Sequence, residues 1–350
     1  MQTSYESGGS VPRKPKNGKM PTLRQVAEAA NVSPSTVSKA LNDNGDVSAR
    51  TKIEVRRVAR ELGYEPKRAK KVDKTWRSGL IGLVTCDTVG KPSLPLLAGC
   101  EQVLGLVRHA ALLTNSRGET RLERSRIEQL LSRGVDGLIV AGPSADPREP
   151  VDPSLLEETP IVYAVSPSTN PRDCSVVTNF EQGAHLAISH LADIGRTNIA
   201  IIGGEEKAFA NRERLRGVKQ ALDEREITLA SPIRYRDWSS SWGRTETNRL
   251  LDEGVSFDAL FCFNDRIARG AEEVLLRRGV RVPEDVAIVG FDNWDEFLLD
   301  TEVPLTTIDN HAEQIGSVAA GYLLDAIKGH SHSGLTRVPC ELVRRASTEL

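Results

Sequence analysis

The 350-residue sequence is poor in aromatic residues (5%), cysteine, histidine and long apolar runs. Its five cysteines, Cys86, Cys100, Cys174, Cys262 and Cys340, are far apart, with no CxxC pair and no even-numbered framework. This excludes a disulfide-stapled module and implies reduced, mostly buried thiols in a cytoplasmic protein. No apolar stretch approaches a membrane span, and the first residues lack the apolar core of a signal peptide, so neither a membrane nor a secreted location is expected. There is no GxGxxG following a strand-like run, no GxxxxGKS/T and no GxSxG, which leaves dinucleotide, nucleotide and hydrolase chemistry without their devices. The six histidines are scattered. His185 and His190 are five apart, the wrong spacing for one helical face, so they read as ordinary helix residues and not zinc ligands. Neither a metal nor a cofactor is expected.

What the chain does have is concentrated near its start. Ser33-Pro34-Ser35-Thr36-Val37-Ser38-Lys39-Ala40-Leu41 reads as a short helix. Ser33 suits the N-cap, and Pro34 suits the first helical position, where its missing N–H costs nothing. Val37, Ala40 and Leu41 recur at helical spacing and can face a core. Pro34, Ser35, Ser38 and Lys39 then form a short, polar, basic outer surface fit for base edges and phosphates. Upstream, Thr22 and Gln25 form a capping box, and Leu23, Val26, Ala27 and Ala30 make one apolar face. Asn31-Val32 is the turn, since Asn tolerates the left-handed conformation. Downstream, Ser48 can cap a third helix carrying Val55, Val58, Ala59 and Leu62, stopped by Gly63 and then Pro66. These pieces make a helix-turn-helix unit with a supporting helix. Between Val11 and Lys71, fifteen Lys/Arg outweigh six Asp/Glu, a local charge of +9 in a chain of net −2. A basic head on an acidic body indicates that the head meets a polyanion.

The run Leu23–Asn42, together with Val47-Ser48 and Leu62-Gly63-Tyr64 followed by Pro66, resembles the headpiece of the lactose-repressor (LacI) family of bacterial regulators. The division expected is a disordered basic arm (1–20), the DNA-binding domain (21–66), a hinge (67–78) and a two-lobed body (79–350). The resemblance implies operator contact by Thr22, Ser33, Pro34, Ser35, Thr36, Ser38, Lys39, Asn42, Tyr64, Lys67 and Arg68. It also implies a hinge helix whose leucine wedges into the minor groove, but Asp73 stands at that position with Val72 beside it. An acid offers no apolar wedge. The basic residues around it still suit phosphates.

From Gly79 onward, short apolar runs alternate with amphipathic stretches of helix length. The runs are 80–84, 111–113, 137–140, 161–163, 199–202, 259–263, 286–289 and 305–308. The helical stretches include 121–132, 181–193, 211–224, 241–252, 266–278 and 311–327. That pattern predicts an α/β body with parallel sheets covered on both faces, in two lobes split near residue 165 with a later return crossing. Stretches such as Val135-Asp136-Gly137-Leu138-Ile139 and Val282–Asp292 extend the resemblance over nearly the whole chain from residue 21; in that family the body is like the sugar-binding proteins of bacterial transport.

In such bodies ligands sit in the cleft at the carboxyl ends of strands. The resemblance assigns effector contact to Arg214, Trp238, Asn264 and Asp292. Asp265 is a further candidate from its place at a strand end. The alternative for Asn264 and Asp265 is helix capping. Two positions depart from the family: Ala164 stands where an acid is frequent, and the loop Asp87–Pro92 lacks the usual aromatic pair. The reading is a ligand-responsive, sequence-specific DNA-binding regulator, a repressor, with no enzymatic activity. Its partners are double-stranded, near-palindromic operator DNA, a small-molecule effector and a second copy of the chain, with no membrane. The rival is an α/β enzyme acting on a sugar-like metabolite and carrying an accessory nucleic-acid-binding head.

Overall fold

The computed structural model describes residues 21–41, 47–64, 78–86, 93–294 and 301–349. The chain divides into two compact units, Met1–Trp76 and Arg77–Leu350. Asn42, Lys67, Arg68, Val72, Asp73 and the loop 87–92 lie outside the described residues, as do the basic arm and most of the hinge.

In the first unit, α1 (Leu23–Ala29), α2 (Pro34–Leu41) and α3 (Ala49–Leu62) enclose a small core. Val26, Val37, Ala40 and Val55 are fully buried there, with Ala27, Val58 and Ala59 nearly so. The caps are those the residue types demand. Thr22 Oγ1 accepts the Gln25 N–H, while Gln25 Oε1 accepts the Thr22 N–H. Ser33 Oγ accepts the Thr36 N–H, and Ser48 Oγ that of Thr51. Asn31 takes φ +51° in the turn between α1 and α2. That left-handed residue lets two short helices meet at a steep angle without a glycine.

The second unit holds two sheets. The first has the order β10-β5-β4-β3-β1-β2, made of β1 (Leu80–Thr85), β2 (Ala110–Asn115), β3 (Gly137–Ala141), β4 (Ile161–Ala164), β5 (Cys174–Thr178) and β10 (Gly334–Val338), all parallel. The second has the order β11-β9-β8-β7-β6, made of β6 (Ile199–Ile202), β7 (Ala259–Cys262), β8 (Ala287–Asp292), β9 (Thr306–Asp309) and the antiparallel edge β11 (Glu341–Val343). Strands β1, β3, β5, β6 and β7 are buried on both faces apart from the first residue of β1, and each sheet is flanked by an apolar cluster on either side. Helices α4 (Ser93–Leu106), α5 (Thr120–Ser132), α6 (Pro153–Leu156) and α11 (Ala312–Ile327) belong to the first lobe; α7 (Phe180–Asp193), α8 (Phe209–Arg225), α9 (Ser240–Asp252) and α10 (Asp265–Arg277) belong to the second. All five cysteines are buried, and no disulfide joins them.

The expected split near residue 165 is corrected: β5 still belongs to the first sheet, so the first crossing falls at Thr178–Asn179. The chain returns after β9, lays α11 and β10 on the first lobe, and crosses a third time into β11. Strands β5, β10 and β11 and helix α4 were not legible as elements. β5 mixes Ser and Thr with its valines, β10 and β11 are short edges with exposed residues, and α4 carries Pro95 and Gly99. Each needs its neighbours in space to be recognised.

Candidate DNA-binding surface and ligand cleft

On α2, Pro34, Ser35 and Lys39 are exposed, and Thr36 and Ser38 are half-buried. The hydroxyls of Ser33, Ser35 and Thr36 form one cluster, with Ser33 Oγ 2.7 Å from each of the other two. Thr22, at the start of α1, is also exposed. Tyr64 is half-buried and packs against the head's apolar core, its N–H bonded to Ala59 O at 2.8 Å. The outer face of α2 is therefore small, rigid and hydroxylic, with one cation, and its opposite side is held by Val37 and Ala40.

In the body a cavity of about 440 Å³ lies between the lobes, lined by Gly142–Asp146, Val165 and Ile315 from one and by Phe180, Arg214, Trp238 and Asp292 from the other. Arg214 projects from α8 and is 3% exposed. Its guanidinium carbon lies 3.9 Å from the Phe291 ring centre, 4.8 Å from that of Phe180 and 5.5 Å from that of Trp238. Nη2 donates to Asp292 Oδ1 at 3.4 Å. Nε is buried without a hydrogen-bond partner. Burial pushes the guanidinium below the ordinary arginine value, and the charge of Asp292 opposes that shift. Aromatic faces attract the cation while excluding water, so Arg214 is held ready for an acceptor in the cavity.

Asp292 ends β8 with φ +110°, and Val165, just past β4 on the facing lobe, has φ +70°. Backbone held in such conformations by non-glycine residues concentrates at ligand sites. Asn310 Nδ2 donates to Asp292 at 3.4 Å, so the carboxylate is held both by Arg214 and by the segment after β9. Trp238 lies across Gly204, where a Cβ would collide with the indole. Asn264 lines the cavity but is already engaged: Oδ1 caps α10 by accepting the Ile267 N–H, and Nδ2 donates to Trp238 O at 3.2 Å. It places Trp238 as well as bordering the cavity.

Asp265 is not on the cavity wall. It is 1% exposed, accepts from Thr307 Oγ1 and the Trp294 N–H, and its carboxyl is pushed well up by burial and then by the charge of Asp292. As the first residue of α10 it points into the sheet, where it ties β9 to the segment after β8. Ala164 is fully buried in the first lobe's core and leaves the wall to Val165. Nothing local in the sequence singles out Val165, Phe180 or the loop 142–146, because each meets the cavity through the pairing of two lobes. The histidine reading can be placed too: His185 pairs with Glu224 and His190 with the Thr348 hydroxyl. Among the described residues no helix is long and apolar enough to cross a membrane.

Residues 22–67 match the bacterial regulatory proteins of the lacI family, and residues 188–348 match a periplasmic binding protein-like domain. The chain is similar to the lactose operon repressor of Escherichia coli, with 31% identity covering 93% of this chain and 90% of that one. It is also similar to the HTH-type transcriptional repressor PurR of Aliivibrio fischeri, with 30% identity over 94% and 98%. A crystal structure of the Lac repressor dimer bound to operator and the anti-inducer ONPF superposes with a TM-score of 0.66 at 28% identity, covering 94% of this chain and 99% of that one. With a capped recognition helix in a basic head and a cleft between two α/β lobes, the chain belongs to the lacI family of ligand-responsive, DNA-binding transcriptional repressors.

Proposed function

We propose that this regulator binds a near-palindromic operator as a homodimer and that a small polyhydroxylated or otherwise hydrogen-bonding ring compound, seated between Arg214, Trp238 and Asp292, sets its operator affinity. The observation that carries this reading is the buried Arg214, whose Nε faces no acceptor in a cavity large enough for a small metabolite. Trp238 offers a flat apolar platform for a ring, and the Arg214–Asp292 pair presents donors and acceptors for hydroxyls. On the DNA side, Lys39 reaches a guanine or a phosphate, with Pro34 and Ser35 at base edges. Thr22, Ser33, Thr36, Ser38, Asn42, Tyr64, Lys67 and Arg68 are the further residues assigned to operator contact. One short recognition helix covers too little DNA for specific binding, so two copies on two half-sites supply the rest; a relative seen as a dimer on operator supports this. The protein acts in the cytoplasm and catalyses nothing.

The test is a thermal-shift and calorimetric screen of sugars, nucleosides and phosphorylated metabolites against the full chain. A hit should bind with one site per chain and change operator affinity. Asp292→Ala should lose the hit while retaining operator binding. A hit that is turned over favours the enzyme reading, and a hit that binds Asp292→Ala as it binds the parent places the site elsewhere.

A further inference from the structure

Helix α8 carries Arg214, yet it begins without a cap of its own. Its N-cap residue is Ala208, which makes no side-chain hydrogen bond, and its first turn holds no acid. The first N–H groups of a helix need acceptors from outside the helix. Here the acceptor comes from the other lobe: Asp146 Oδ1 accepts the Phe209 N–H at 2.6 Å.

Asp146 is fixed for this from its own side. The Ser144 hydroxyl donates to Asp146 Oδ2 at 2.8 Å and accepts the Asp146 N–H at 3.1 Å, leaving Oδ1 for the crossing bond. Ser166 Oγ bonds Ser144 O, and the loop's far end is pinned by Arg148, whose guanidinium is paired with Glu123 at 2.6 Å and whose N–H reaches Pro167 O. Next to Asp146, Ala145 packs against the second lobe's core. A carboxylate at a helix N-terminus also meets the positive end of the helix dipole. The bond can exist only with the lobes together, and opening them strips α8 of the side-chain acceptor at its first N–H.

We propose that Asp146 is a latch, a positioning residue that closes the cleft by capping in trans the helix that bears Arg214. The closed cleft and the orientation of Arg214 then share one hydrogen bond, so ligand capture and lobe closure are coupled. That consequence for a ligand rests on the cleft reading given above; the latch itself does not, and its test needs no ligand.

Amide hydrogen exchange at Phe209 is followed in the full-length, ligand-free protein by fragmentation mass spectrometry, with small-angle scattering on the same samples. In the parent the Phe209 amide should be protected. Asp146→Ala should speed its exchange by about two- to thirty-fold, the range for losing a helix cap, and enlarge the radius of gyration. Asp146→Asn, which keeps an acceptor of similar reach, should retain most of the protection. If Asp146→Ala fails to fold, Asp146→Ser, too short to cross the cleft, takes its place with the same expectation. Equal exchange at Phe209 in parent and truncated variant would overturn the latch, as would an unchanged radius of gyration. A side chain that merely touched a ligand would alter neither readout.

Discussion

At the residue scale, the body contains acids held away from water for different reasons. Asp265 bonds β9 and the backbone after β8, whereas Glu272 on α10 is 2% exposed and accepts the Val303 N–H at 2.6 Å. Burial raises the Glu272 carboxyl to about 7. Because the folded value lies above the unfolded one, folding favours the protonated form. Its contribution is present in full below the unfolded value, near 4.5, and is lost as pH rises through about 7. Urea unfolding from pH 5 to 8 should therefore show stability declining with pH, and Glu272→Gln should flatten that decline. Over that range the parent should lose on the order of 2–3 kcal/mol more than the variant. A parallel decline in parent and variant would mean that another group is responsible. Asp265 shows why a strand-end acid is an ambiguous sign: Asn264 and Asp265 are adjacent, yet one borders the cavity and the other is buried behind it.

At the scale of elements, α2 was the most legible part of the chain. Its cap, its proline start and its apolar spacing are all local, so the residues that form it also declare it. Ser33→Ala removes the acceptor of the Thr36 N–H and should destabilise the head by about 1 kcal/mol, read as a lower midpoint of its thermal transition. Lys39→Ala tests the outer face. If the lysine reads a guanine, binding to a panel of single-base operator variants should weaken by about 1–3 kcal/mol and lose discrimination at one position. A uniform loss with a shallower salt dependence would identify a phosphate contact instead. Strand β10 is the opposite case. Gly334-Leu335-Thr336-Arg337-Val338 has little apolar content and becomes a strand because β5 offers it a parallel edge.

At the scale of the molecule, regulation requires that ligand and operator each change the other's affinity by the same factor, since binding free energies are reciprocal. Calorimetry of a screening hit with and without operator should return that equality. If Asp73 takes the wedge position that the family resemblance implies, it bears on the DNA side of this coupling. A carboxylate in place of an apolar wedge should bend operator less, so binding should lean on Lys67, Arg68, Lys70 and Lys71 and fall steeply with salt. Asp73→Leu should tighten binding and increase the bend in a circular-permutation gel shift. A strong bend in the parent that Val72→Ala abolishes would instead assign the wedge to the valine. Sedimentation of a monomer that still binds operator specifically would contradict the two-half-site arrangement.

Two kinds of information are separated in this chain by the distance over which they act. The helix-turn-helix, the basic head, the alternating body and the absence of cofactor motifs could be read from neighbours in sequence, because caps, turns and apolar periods act over a few residues. Arg214, Trp238, Asn264 and Asp292 could be named from their stretches, but their arrangement could not. The aromatic enclosure of Arg214 draws on α7, α8, β8 and the segment before α9. The first lobe boundary depends on which sheet β5 joins, the removal of Asp265 from the cavity wall on its bonds to Thr307 and Trp294 within the second lobe, and the capping of α8 by Asp146 on the crossings that bring residues from both lobes together. Such contacts arise only when loop closure across more than sixty residues is repaid by packing, so no local pattern announces them.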